Sequence, residues 1–307
     1  LLPFMAASLV HAHGQIYEVI AGGVTNHGPD IYWAADSVNN KTVTRVMYQA
    51  SSPSYVLYTG FTNNSEMSCE GSSAASAAAP DVLSVAAGSN ITVQWAGATS
   101  ELLGKPGTGG VTDRNPWVHA MGMVVDYITS CGDSGCTSFD ATNAGWTKVD
   151  EFGIDPNQTI SDDLRTTMSE KPEEYYPSAN GLWGMAKLVQ DGSQWDVTIP
   201  SNLKAGEYIL RHEIGAMHNP KTSGDTTTGP QLYISCIQLE VTGDGTVELP
   251  DGTQSGSLYD PDGDFANFDV YSSDTAALSF VVPGPAVWDG ASSSSSSSNS
   301  TKSAASN

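Results

Sequence analysis

Apolar and polar residues alternate at a spacing of two in several separate stretches of the chain. Ile91, Val93 and Trp95 are interleaved with Thr92 and Gln94, and Trp195, Val197 and Ile199 with Asp196 and Thr198. Ile237, Leu239 and Val241 alternate with Gln238 and Glu240 in the same way. A period of two sends one set of side chains to a buried face and the other to the opposite face, as in a half-buried strand. Pro200–Gly206 reads as a turn that leads into another strand over Glu207–Ile214. No stretch keeps a helical period for long, and the segments between are rich in Gly, Ser, Asn and Pro. The pattern predicts an all-β fold: an antiparallel β-sandwich (immunoglobulin/fibronectin-like) with long surface loops and few short helices.

The two ends depart from this pattern. Residues 1–12 form an apolar run closing on the small residues Val10 and Ala12, which reads as the remnant of a signal peptide cut before His13. The run is too short to span a bilayer. Residues 291–307 are dominated by serine and read as a flexible, O-glycosylated tail. Such a tail could lead on to a carbohydrate-binding module or an anchor. Residues 13–290 are then the sandwich domain, with no internal repeat or interdomain linker. Cleavage would make His13 the first residue, carrying an imidazole and an α-amine that titrates near pH ~8, low enough to yield its proton to a metal.

Charge narrows the partners. The 307 residues carry 12 Lys plus Arg against 34 Asp plus Glu, a net charge of −22. Nucleic acid and anionic membranes are excluded as partners, since both need basic patches. Neutral, hydroxyl-rich glycans stay open. A secretory leader makes disulfides the expected state of the four cysteines. Cys131 and Cys136 enclose a tight polar loop and pair naturally, which leaves Cys69 to Cys236. A zinc site is disfavoured because no second Cys-x-x-Cys pair exists. Sequons at Asn40, Asn63, Asn90 and Asn157, with a fifth at Asn299 in the tail, fit a secreted, extracellular, monomeric glycoprotein.

The histidines carry the candidate chemistry. His11 leaves with the leader, and His119 stands where a loop enters a strand. An N-terminal His13 together with His119 supplies one amine and two imidazoles, a donor set that suits copper. The densest segment runs from Leu210 to Cys236, with His218 after one strand and Gln231 and Tyr233 on one face of the next. Two readings stand side by side there: a supporting layer around a metal, or a buried tyrosine satisfied by a buried histidine.

Taken in order, these pieces resemble the lytic polysaccharide monooxygenases of auxiliary-activity family nine, formerly glycoside hydrolase family sixty-one. The resemblance rests on the His13-Gly start, the His119…Tyr127…Cys131 block and the Trp195-Asp-Val-Thr-Ile-Pro strand. Gly206-Glu-Tyr-Ile-Leu-Arg-His-Glu-Ile-Gly-Ala-Met-His218, Gln231-Leu-Tyr233-Ile-Ser-Cys236 and Val282-Pro-Gly-Pro285 complete it. It implies one copper ion held by His13 and His119 with Tyr233 as axial ligand. His218 and Gln231 would be catalytic residues that bind the oxygen co-substrate, either dioxygen or hydrogen peroxide. Tyr271 would stack on the substrate. It further implies an external electron donor as reductant and oxidation of a cellulose or related β-1,4-glucan surface at C1, C4 or both. The chain departs from the family pattern at Met123 and Ile234, where proline is usual, at one extra residue between His119 and Gly122, and in a longer gap after Tyr271. Two rival functions are a glycoside hydrolase and a non-catalytic copper- or glycan-binding sandwich. The first needs two carboxyl groups set across a cleft, and no Asp/Glu pair stands out: Asp150, Glu151, Glu173 and Glu174 read as solvated loop residues. The second leaves the His218, Gln231 and Tyr233 cluster without a reason.

Overall fold

The alternating segments become the strands of two stacked sheets. The computed structural model describes residues 13–29, 41–45, 55–69, 78–98, 117, 119–159 and 181–290, with His13 as backbone only. The leader, the serine-rich tail, Asn40, Glu173 and Glu174 lie outside the described residues. In chain order the strands are β1 (His13–Ala21), β2 (Val24–His27), β3 (Leu83–Ala86), β4 (Asn90–Ala98), β5 (Gly122–Ser130) and β6 (Gly145–Phe152). They continue with β7 (Ile154–Asp155), β8 (Leu182–Trp183), β9 (Gln194–Thr198), β10 (Gly206–Ala216), β11 (Gln231–Thr242) and β12 (Thr253–Gln254). One sheet has the order β2-β1-β4-β9, the other β12-β6-β5-β10-β11-β3, and β7 pairs with β8. The described helices are short: α1 (Asn64–Cys69), α2 (Gly184–Gln190) and α3 (Asp274–Ala277).

Two details differ from a plain antiparallel sandwich. Edge strand β3 runs parallel to β11, with Leu83 opposite Leu239. The six-stranded sheet is also covered on both faces. Its inner face packs against the four-stranded sheet, where Trp95 of β4 approaches His212 of β10 with ring centroids 5.8 Å apart. Its outer face lies under α1 and the segment 255–285, where Phe61 stacks on Phe265 and Lys148 donates to the Pro283 carbonyl.

That second cover explains why several polar strand positions are buried rather than solvated. Gln238 donates to the carbonyls of Ala79 and Asp81 and accepts from the Ala79 amide and Arg45, so it replaces strand partners for a loop that crosses the sheet. Gln94 does the same for the Trp95, Gly192 and Ser193 carbonyls. Buried amides are tolerated only with such full pairing. Asp150 and Glu151, read above as loop residues, stand on strand β6, where both are exposed and Glu151 receives an ion pair from Lys148 at 2.6 Å.

Cys69 is bonded to Cys236 and Cys131 to Cys136. The first bridge ties α1 to the middle of β11. Asn63, Asn90 and Asn157 are all exposed. Asn63 also caps α1: its Oδ1 accepts the Ser65 amide at 3.0 Å and its Nδ2 donates to Glu66 at 2.8 Å.

Candidate metal centre

Sheet register brings the predicted residues to one end of the sandwich. Ala216, the last residue of β10, is paired with Gln231, the first of β11, and with Gly122, the first of β5. His218 therefore leaves β10, and His119 enters β5, at the same edge as Gln231. The turn into β5 is made at Gly122, where φ is +148° and a Cβ would run into the Gly215 carbonyl. Only glycine passes there. In the four-stranded sheet His13 opens β1 opposite Ala98.

The side chains then pack as a ring cluster. His119 is 2% exposed and stacks on His218, with centroids 3.8 Å apart and planes 15° from parallel. Positive charge on both rings at that separation would be strongly repulsive. Tyr233, fully buried, lies 6.2 Å from the His119 centroid and donates its O–H to Oε1 of Gln231 at 3.0 Å. Tyr271 is 43% exposed, and its hydroxyl donates to the His218 carbonyl at 3.1 Å.

Among the described residues no three His, Cys, Asp or Glu side chains form a ready-made metal site. The His13 side chain lies outside the described residues. The donor set nevertheless fits copper: imidazole at His119 and His218, a phenol held by an amide, and a strand that begins with histidine at the same sandwich end.

A family model described as Auxiliary Activity family 9 (formerly GH61) matches residues 13–279. The chain belongs to this family. As a member of auxiliary-activity family 9 it is a copper-dependent polysaccharide monooxygenase. Among its relatives, the family 9 lytic polysaccharide monooxygenase Cel61B of Hypocrea jecorina is 30% identical over 288 residues, which span 92% of this chain and 95% of that protein. Lytic polysaccharide monooxygenase D of Podospora anserina is 31% identical over 281 residues, 92% of this chain and 67% of that one. The solved structure of Hypocrea jecorina Cel61B superposes with a TM-score of 0.67 at 27% identity, covering 90% of this chain and all of that one.

Two residues at this family 9 centre escaped the sequence reading. Trp117 is fully buried and contacts both His119 and Tyr233. Ser193, in the turn before β9, accepts the Trp117 amide. Trp117 had a faint signal, since residues i and i+2 of an extended segment share a face and His119 follows it by two. Ser193 had none, because its role depends on a contact between distant segments.

Proposed function

We propose that the chain is a secreted monooxygenase that cleaves β-1,4-glucan chains of the cellulose type at C1, C4 or both. Residues 13–290 are its catalytic domain, 1–12 the remnant of a signal peptide and 291–307 a serine-rich tail. In this reading His13, through its amine and imidazole, His119 and Tyr233 would hold the copper. Copper supplies the one-electron chemistry that activates dioxygen or hydrogen peroxide once an external donor has reduced it.

The chain's own residues do the rest. Tyr233 donates its hydroxyl hydrogen bond to the Gln231 carbonyl oxygen, and its phenol oxygen would face a bound copper as a weak, protonated partner. That bond orients the Gln231 amide and leaves its N–H groups to hold the oxygen co-substrate beside His218. Tyr271 anchors the His218 backbone and presents a partly exposed ring to the glucan surface. Hydroxylation at C1 or C4 leaves a carbon that expels its neighbouring sugar.

The observation that carries this reading is the meeting of His119, His218, Gln231 and Tyr233 at the sandwich end where His13 begins β1. The test uses protein beginning at His13 and protein retaining Ala12. Copper calorimetry should show tight binding by the first and severely weakened binding by the second. Product analysis on cellulose should show oxidised oligosaccharides only when a reductant such as ascorbate is present. Equal copper affinities, or reductant-independent products, would overturn it.

A further inference from the structure

The four-stranded sheet contributes the N-terminal strand to the centre, whereas the six-stranded sheet contributes Gln231 and Tyr233. Something must fix the distance between them. One side chain touches both. The indole of Trp117 is fully buried, meets Tyr233 edge-to-face at 4.9 Å and His119 edge-to-face at 5.7 Å, and packs on Trp95 of β4 at 5.1 Å. Its six-membered ring also fills the space where Gly14 would carry a Cβ, so it lies directly on the backbone that follows His13. Glycine at position 14 permits this approach; any larger residue would drive the ring away.

Trp117 is itself held by an unusual partner. Its amide donates to Ser193 Oγ at 2.8 Å. Among the described residues Ser193 is the only non-glycine with positive φ, at 62°, and it is 2% exposed. Its carbonyl accepts from the Trp95 amide at 2.8 Å and from Gln94 at 3.2 Å, and its amide donates to Leu188 at 2.8 Å. Glycine would suit that backbone better, but glycine has no hydroxyl to hold Trp117. Strain retained at one buried residue, and spent on a single side-chain bond to the segment entering the metal centre, points to a functional constraint.

We propose that Trp117, clamped by Ser193, is a positioning residue: it sets the spacing between the N-terminal strand and the His119/Tyr233 side of the centre, and so the geometry of the bound metal. This rests on the copper reading above. Neither residue touches the metal or the substrate. Each acts through the groups it packs against.

The test compares four variants of the full chain beginning at His13: Trp117→Phe, Ser193→Gly, Trp195→Phe and His119→Ala. The readouts are the copper dissociation constant by calorimetry, the Cu(II) electron paramagnetic resonance spectrum and the Tm of the metal-free protein. Trp117→Phe and Ser193→Gly should each weaken copper binding about 10- to 100-fold and alter the spectrum, the range found when supporting partners of a metal site are lost. Trp195→Phe, which removes a similar volume from the four-stranded sheet at a ring that contacts Phe152 and Lys187 instead, should lower Tm and leave spectrum and affinity alone. If Trp117→Phe fails to fold, Ser193→Gly decides, because glycine accepts that φ without strain. Parental spectra and affinities in both Trp117→Phe and Ser193→Gly would reduce the pair to core packing and overturn the proposal. His119→Ala reads the underlying assignment separately: affinity equal to the parent's would overturn the copper site itself, whatever the other variants do.

Discussion

Strands β10 and β11 bury polar side chains in two places, and the two are built on opposite terms. Midway along β10, Arg211 and Glu213 form a fully buried ion pair at 2.7 Å. Arg211 also donates through Nε to the Met67 and Ser68 carbonyls, each at 3.0 Å. Tyr259 donates to Glu213 at 2.6 Å, and Tyr127, 2.9 Å from the Tyr259 oxygen, donates to it in turn. Burial and the nearby Glu213 charge raise the pKa of both phenols, which keeps them donors. Burial opposes the charge of Arg211, but Glu213 together with Tyr259 and Tyr127 more than restores it. At the tip of the same strands, the rings of His119, His218 and Tyr233 cluster together, and the Tyr233 phenol donates to the Gln231 amide oxygen. The middle is a charge network in which an ion pair, two carbonyls and a phenol meet the charges, with Nη1 of Arg211 left without a hydrogen-bond partner among the described residues and the guanidinium 5.1 Å from the Tyr127 ring centroid. On the copper reading the tip is instead a set of imidazole, phenol and amide groups that would take a positive ion. On that reading one strand pair holds a buried ion pair and a candidate metal site some residues apart, the first closed off by a covering helix and loop, the second placed at the strand ends.

The largest test of that contrast is Glu213→Ala. Removing one partner leaves the Arg211 guanidinium buried without its counter-charge, which should destabilise the protein by about 3–5 kcal/mol in urea unfolding. Copper affinity of the folded fraction should stay at the parental value. A matching loss of copper affinity would show that middle and tip are not separable.

His119→Ala should do the reverse. Loss of an imidazole donor is expected to weaken copper binding by more than about 100-fold, roughly 2.7 kcal/mol, while metal-free stability falls by less than half of the loss at Glu213. Calorimetry and urea unfolding on the same preparation check both statements. Tight binding with an unaltered copper spectrum would move the site elsewhere.

The same chemical change made in both regions sharpens the comparison. Tyr259→Phe removes a hydrogen bond to a buried charge and should cost about 1.5–3 kcal/mol. Tyr233→Phe removes one between neutral groups and should cost about 0.5–1.5 kcal/mol. Only the second should shift the electron paramagnetic resonance parameters of bound copper and slow turnover. Equal costs with an unchanged spectrum would return Tyr233 to a purely packing role.

The tip was largely legible in the sequence and the middle was not. The sequence places His119 where a loop enters a strand and His218 at the end of the strand before Gln231 and Tyr233, and the register of Ala216 with both Gln231 and Gly122 brings these positions to one end. The strands themselves follow the alternation: Trp195, Val197 and Ile199 are buried while Asp196 and Thr198 are exposed. The pattern fails where the outer face of the six-stranded sheet is covered. Arg211 and Glu213 alternate with His212 as charged residues on a strand, which reads as a solvated face. They are buried because α1 and segment 255–285 fold over them, a long-range event that no local period records. Ser193 is illegible for a related reason, since its φ is imposed by bonds to Leu188, Trp95 and Trp117 rather than by its neighbours.

The smallest expected effect sits at the rim of the middle region, and its sign is the informative part. On the inner face His212 contacts Asp126 at 2.7 Å, both buried, and Asp150 of β6 stands opposite Asp126 in register. Partial desolvation raises the pKa of Asp150, helped by the Asp126 and Glu151 charges and opposed by the Glu151 amide and His212. A carboxyl whose folded pKa lies above its unfolded value of about 3.9 favours the folded state below that value and loses the contribution as pH rises through the folded pKa. Asp150→Asn removes the titration. Relative to this variant, the parent protein should therefore lose stability on going from about pH 4 to about pH 7, by less than about 1 kcal/mol because Asp150 is exposed and its charge is screened. Tm measured for both proteins across that range checks it. A parent that gains on the variant as pH rises would mean that the Glu151 amide and His212, rather than burial and Asp126, dominate at Asp150.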